Sequence, residues 1–191
     1  MVLKVISGIA RGRILKTLPI SDLSMRPMFG RMKKSVFDII KFKVPCSTFV
    51  DLFAGVGSVG IEALSRGAEK AIFIELNDIF LSLIKHNLDV LGFCDRAKII
   101  KCDITKNFAI LQNRKYDIIF IGPPYKDKNK RMLTLTHNVL KDSVKYDILK
   151  KDSIVITQRH IKESVDNVPG LGCFRSEKYG DTLVSFYERV M

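Results

Sequence analysis

From Thr48 onward, short continuous apolar runs alternate with segments whose apolar positions recur every three or four residues. Phe49–Phe53, Ala71–Leu76, Lys98–Cys102 and Tyr116–Ile121 are the continuous runs, which read as strands covered on both faces. Between them the spacing predicts a helix from Ser58 to Arg66-Gly67. It predicts a second helix, capped by Asp78, whose Phe80, Leu83, Ile84, Leu88 and Leu91 face inward until Gly92. A weak helix follows over Asn107–Asn113. A helix near Arg131–Leu140, a strand Ser153–Thr157 and a terminal pair, Phe174–Tyr179 and Thr182–Val190, complete the pattern. Strands alternating with helices predict an α/β fold with a mostly parallel sheet and an antiparallel edge.

Before Thr48 the rhythm differs. Val2–Ser7 and Arg13–Leu18 read as strands of a hairpin turning at Gly8-Ile9-Ala10-Arg11-Gly12. Pro27 suits the first turn of a helix running to about Phe42, with Met28, Met32, Val36 and Ile40 on one stripe and Arg31, Lys34, Asp38 and Lys41 on another. Residues 1–47 therefore form a hairpin-plus-helix extension and residues 48–191 the α/β domain.

Charge sharpens that division. The formal net charge is +12. Residues 1–47 carry ten Lys/Arg against two acids, and the remainder is close to balanced. A basic extension on a near-neutral body points to a polyanion partner, nucleic acid first. Arg11, Arg13, Arg26 and Arg31 strengthen this, since guanidinium forks match phosphate geometry better than ammonium does. The four cysteines are scattered without a C-x-x-C pair, so neither a zinc nor a disulfide framework is expected. No apolar run approaches membrane-spanning length. A cytoplasmic monomer is the expectation.

Candidate chemistry sits where the strand ends meet loops. Asp51-Leu52-Phe53-Ala54-Gly55-Val56-Gly57-Ser58-Val59-Gly60 follows the first strand and opens a helix, with Glu75 ending the next strand. Gly55, Gly57 and Gly60 satisfy the dinucleotide spacing, and Glu75 lies where an acid would hold ribose hydroxyls. Asp51 selects among nucleoside cofactors. It would repel a pyrophosphate at the helix amino terminus but suits S-adenosylmethionine, which carries a sulfonium and an ammonium. Asp103 ends the third strand and could accept an adenine amino group, with the next amide, that of Ile104, reading a ring nitrogen. Gly122-Pro123-Pro124-Tyr125 ends the fourth strand in a stiff turn that cannot continue a ladder.

These residues together resemble a class I methyltransferase, and more narrowly the RsmD-type methyltransferases of bacterial small-subunit ribosomal RNA. The resemblance runs through Ile6-Ser7-Gly8, Arg11-Gly12-Arg13, Arg26-Pro27 with Arg31, Asp51-Leu52-Phe53-Ala54-Gly55, Glu62-Ala63-Leu64-Ser65-Arg66-Gly67-Ala68, Glu75, Asp103 and Pro123-Pro124-Tyr125. It implies a Rossmann-like sheet and methyl transfer from S-adenosylmethionine to the exocyclic amine of one guanine in 16S rRNA, within the small subunit or its assembly intermediate. Asp51, Phe53, Gly55, Gly57, Glu75, Leu76, Asp103 and Ile104 would bind the cofactor. Gly122, Pro123, Pro124 and Tyr125 would form the catalytic turn, with Tyr125 stacking on the extruded base. Arg11, Arg13, Arg26, Arg31, Lys33 and Lys34 would hold RNA phosphates.

Two departures from the family pattern stand out. The run Arg31-Met32-Lys33-Lys34 is more basic than the family's, and Gly122 replaces a polar acceptor before the prolines. Asp127 is one candidate to swing in for the missing acceptor. The alternatives are an RNA-binding protein with a retained cofactor fold and lost catalysis, or a nicotinamide-dependent oxidoreductase supported by the glycine triplet alone.

Overall fold

Seven strands form one sheet in the order β3-β2-β1-β4-β5-β7-β6. The computed structural model describes residues 2–19, 28, 30–127 and 129–190. Arg26 and Pro27 lie outside the described residues. The strands are β1 (Thr48–Asp51), β2 (Lys70–Glu75), β3 (Ala97–Lys101), β4 (Tyr116–Ile121), β5 (Leu149–His160), β6 (Leu171–Tyr179) and β7 (Thr182–Arg189). β1 to β5 pair in parallel, and β7 runs antiparallel to both β5 and β6. The expected architecture is present, antiparallel edge included.

The helices are α1 (Gly30–Ile39), α2 (Ser58–Ser65), α3 (Asp78–Leu91) and α4 (Thr136–Lys145). Side chains alternate cleanly across the sheet. Phe49, Phe73, Ile118, Phe120, Ile156 and Phe186 face the cores built with α1, α2 and α3. Val50, Leu52, Ile72, Ile74, Ile119, Ile121 and Val155 face the opposite core with α4. Gly60 shows how close α2 lies to the sheet, because a Cβ there would fall 2.4 Å from the Phe73 ring.

Several boundaries move. Asn77, one residue earlier than expected, caps α3 by accepting from the amides of Ile79 and Phe80. The stretch after β3 tightens to a single 3-10 turn at Phe108–Leu111. α4 begins at Thr136, five residues past Arg131, because the intervening chain pairs back through a Lys126–Met132 bridge. The amino-terminal hairpin shortens to a single bridge, Lys4–Ile14, with three backbone bonds from Val5, Gly12 and Leu15.

What the hairpin lacks in its own ladder, it gains from α2 and α3. Glu62 on α2, fully buried, accepts the amides of Ile6 (2.8 Å) and Ser7 (3.0 Å) and the Nε of Arg66 (2.7 Å). Ser65 donates its hydroxyl to the Ser7 carbonyl and accepts the Ala10 amide. Gly8 takes φ +85, and a Cβ there would fall 1.8 Å from the Ser65 carbonyl oxygen, so only glycine fits. On α3, Asn87 pairs with both the amide and the carbonyl of Lys16.

Lys33 is a correction. It was expected on the RNA-facing surface, yet it is fully buried. Its ammonium donates to the carbonyls of Lys4 (3.0 Å) and Ser58 (3.4 Å) and lies 3.4 Å from Glu62 Oε2. Burial lowers its pKa, and Glu62 opposes that shift. Lys34, next in sequence, points outward and pairs with Asp38.

Replacing Lys33 with methionine leaves two carbonyls without their buried donor, a loss of roughly 2 kcal/mol. In a chain of this size that lowers the melting temperature by about 4–8 °C. Lys34→Met is expected to change it by no more than about 2 °C. Equal effects in thermal melts would count against the buried role.

Candidate active site

The order of the sheet reverses at β1, which lies between β2 and β4. That reversal opens a crevice beyond the carboxyl ends of β1 and β4. The two loops that leave these ends are stitched together at their roots. Leu52 donates to the Phe120 carbonyl (3.0 Å) on one side, and Ala54 donates to the Ile74 carbonyl (3.0 Å) on the other. The glycine loop and the proline turn therefore rise side by side.

Asp51 ends β1 and is 1% exposed. Its carboxylate is reached by the amides of Gly60 and Phe53, while Oδ1 has no hydrogen-bond partner. Burial pushes its pKa up to about 7, opposed by those two amides and reinforced by the charge of Glu75. A buried, half-satisfied carboxylate at a crevice is a prepared seat for a cationic group. Gly57, at φ +81, closes the loop immediately before α2, which has no side-chain cap there.

Glu75 ends β2 and is 8% exposed. Its Oε2 accepts the Gly55 amide (2.7 Å), and its Oε1 accepts those of Leu76 (2.8 Å) and Asn77 (2.9 Å). It thus ties the glycine loop to β2, while Oε2 keeps a lone-pair site for a hydroxyl donor. Leu76 beside it is 54% exposed, an uncovered apolar surface at the rim. Asp103 follows β3, and its backbone neighbour Cys102 donates to the Glu75 carbonyl. Its Oδ1 accepts from Thr105, whose hydroxyl lies at 2.6 Å, and Lys106 lies 3.3 Å from Oδ2. The Thr105 hydroxyl holds its pKa below the usual carboxylate range. Ile104 is buried and Phe53 half-buried. The structure thus gathers Asp51, Glu75 and Asp103 along adjacent strand ends.

Gly122 leaves β4 on the same face as Phe120. A Cβ at Gly122 would lie 2.7 Å from Phe120 Cε1, so the ring occupies the space a side chain would need. Tyr125 is only 8% exposed. Its hydroxyl lies 3.0 Å from Thr182 Oγ1 and accepts from Gln158 Nε2 (3.4 Å), and its ring meets His160 edge-on at 5.6 Å. Packed this way, the ring leaves little of its face open to a base and anchors the turn to β5 and β7. Asp127 is spent on its own loop, accepting from the amides of Asn129 and Arg131 and the Arg131 Nε. It does not stand in for the missing acceptor.

Outside the crevice, Arg11 and Arg13 are exposed on the hairpin, and Arg31 and Lys34 are exposed on α1. Among the described residues, no group of three or more His, Cys, Asp or Glu could hold a metal ion. No helix among them is long and apolar enough to cross a membrane. The grip of Thr182 and Gln158 on Tyr125 was missed by sequence reasoning, since the Thr182 contact spans 57 residues and leaves no local periodicity.

An acid-rimmed glycine loop facing a Pro-Pro turn across β1 and β4, on this sheet order, defines a methyltransferase of the class I architecture. The chain belongs to the family described as conserved hypothetical protein 95, which matches residues 3–188. It is 33% identical over 191 residues to YlbH of Bacillus subtilis (strain 168), named as a candidate rRNA methyltransferase, covering 98% of this chain and 99% of that one. It is 30% identical over 161 residues to ribosomal RNA small subunit methyltransferase D of Buchnera aphidicola subsp. Acyrthosiphon pisum (strain APS), covering 84% and 80%. Among solved structures, yhhF of Escherichia coli, named as a candidate methyltransferase, superposes with TM-score 0.79 at 25% identity, covering 99% and 98%.

The raised pKa of Asp51 has a direct consequence for stability. Between pH 4 and 7 the unfolded chain has released this proton while the folded one keeps it, so folding weakens as pH rises through that window. A move from 3.8 to about 7 corresponds to on the order of 4 kcal/mol at the alkaline end. Asp51→Asn cannot ionise and is expected to melt higher than the wild type at pH 8 but not at pH 4. Parallel pH profiles for the two proteins in calorimetric melts would refute the buried carboxyl as the cause.

Proposed function

We propose that this protein transfers a methyl group from S-adenosylmethionine to the exocyclic amine of a guanine in 16S rRNA, in the cytoplasm, on the small subunit or its assembly intermediate. The observation that carries the reading is the Leu52–Phe120 backbone bond, which sets the cofactor loop and the Gly122-Pro123-Pro124-Tyr125 turn against each other. The relatives named as rRNA methyltransferases support the RNA as substrate.

The site fits the cofactor residue by residue. The unpartnered Oδ1 of Asp51 would take its ammonium, the free lone pair of Glu75 its ribose hydroxyls, and Leu76 one face of its adenine. Asp103 and the Ile104 amide would read the adenine edge, with Phe53, Gly55 and Gly57 lining the approach. Bound there, the cofactor supplies an electrophilic methyl on a positively charged sulfur. The protein's own part is alignment. A guanine amine is a weak nucleophile because its lone pair is delocalised, and a rigid acceptor lets the nitrogen pyramidalise toward the methyl. With Gly122 in place, the Pro123 carbonyl is that acceptor, and the hold of Thr182 and Gln158 on Tyr125 keeps it still. Residues 1–47 act as the RNA-holding extension, with Arg11, Arg13, Arg31 and Lys34 on phosphates; Arg26 belongs to the same proposal.

Incubation with unmodified small subunits and isotopically labelled S-adenosylmethionine, followed by mass-spectrometric mapping, is expected to mark one guanine of 16S rRNA. Labelled RNA without a modified guanine, or none at all, would refute the assignment. Gly122→Asp restores a second acceptor and is expected to raise the single-turnover rate per folded molecule, by on the order of 100-fold. It should also lower the melting temperature, because the new Cβ meets Phe120. An unchanged rate would mean that the missing acceptor does not limit this enzyme.

A further inference from the structure

A groove of about 520 Å³ lies between α1 and β6, walled by Arg31, Lys34, Ser35, Asp38, Ile39 and Arg175. Its cations come from two elements far apart in the chain. Arg31 and Lys34 stand on the exposed side of α1, and Arg175 stands on the outermost strand of the antiparallel edge. The two walls are pinned by one bond, in which the Tyr179 hydroxyl of β6 donates to Ser35 Oγ at 2.7 Å.

The groove has a direction. Tyr179 pairs with Thr182, and Thr182 pairs with His160 at the carboxyl end of β5 and contacts Tyr125 of the catalytic turn. Ser35 therefore lies toward the active-site end of the groove. Arg31 lies one helical turn before Ser35 on α1, and Arg175 lies four residues before Tyr179 on β6. Three cations thus flank the Tyr179–Ser35 contact at the edge of the sheet.

The acids in the groove do not cancel them. Asp38 pairs with Lys34 (2.6 Å) and Glu177 with Arg175 (2.8 Å), but these side chains are 36–65% exposed. Exposed pairs of this kind contribute little and exchange readily for a stronger partner. A phosphate accepts the two-pronged guanidinium fork that Arg175 presents, a contact the nearby lysine cannot duplicate.

We propose that this groove seats the phosphate backbone of the substrate RNA, with Arg175 as a phosphate contact outside the basic amino-terminal extension. The inference rests on the RNA reading above and adds a second anchor on the α/β domain itself. RNA held at the hairpin alone could pivot. RNA held also at Arg175 is fixed on both sides of the catalytic turn. Such contacts position the strand without reading its sequence.

The test is the salt dependence of binding between the full chain and a fluorescently labelled 16S rRNA transcript, followed by anisotropy. Arg175→Gln is expected to reduce the slope of log K against log salt by about 0.7–0.9 and to weaken binding about 5- to 8-fold near 0.1 M salt. Arg175→Lys keeps the charge and is expected to retain most of the slope. Lys98→Gln, at the amino ends of the strands, is expected to leave both quantities unchanged. A wild-type slope in Arg175→Gln, with tight wild-type binding, overturns the groove and leaves the RNA reading standing. A wild type that binds neither the transcript nor unmodified small subunits overturns the RNA reading and the groove with it.

Discussion

One buried carboxylate organises the front half of this molecule. Glu62 sits on α2 with no exposed surface, and four groups from three segments converge on it: two hairpin amides, the guanidinium of Arg66 and the ammonium of Lys33. A charge taken so far out of water is tolerated only because nearly every lone pair is met. Removing any partner leaves a penalty, so the hairpin, α1 and α2 are held as one unit.

That unit reaches the site. Lys33 also donates to the carbonyl of Ser58, the first residue of α2 and the next after Gly57 of the cofactor loop. The same ammonium takes the carbonyl of Lys4 on the hairpin. A displacement of the hairpin is therefore felt one residue from the glycine loop. The basic extension and the glycine loop share a buried joint, so the segment proposed to meet RNA also braces the proposed cofactor seat.

The strands, their parallel order and the acids at their ends were legible because continuous apolar runs and end-of-strand acids are local signals. Asp51, Glu75 and Asp103 needed only their place after β1, β2 and β3. The neighbours Lys33 and Lys34 show where this stops. A stripe drawn through positions 28, 32, 36 and 40 leaves Lys33 outside it, whereas the buried face runs through 33, 36, 37 and 40. The fully buried Phe37 on that second stripe was the available clue. Nothing local could reveal that Tyr125 would be gripped by Thr182 and Gln158, because those contacts depend on how β5 and β7 pair. Gly122 was legible as a missing acceptor but not as the space that the Phe120 ring fills.

In the proposed reaction, the distribution of charge would admit a base and not its backbone. The rim carries the carboxylates of Glu75 and Asp103, joined by Asp51 once it ionises, a field that would favour a cationic cofactor and repel phosphate. The cations stand outside it, on the hairpin, on α1 and at Arg175. An RNA strand drawn to those cations would be kept from the crevice by the acids, so the part free to cross the boundary would be an uncharged base swung out on its sugar. On that proposal Pro123 and Pro124 matter for their stiffness: the acceptor they carry would already be in place when the base arrives, with Tyr125, tied at its hydroxyl, holding the turn.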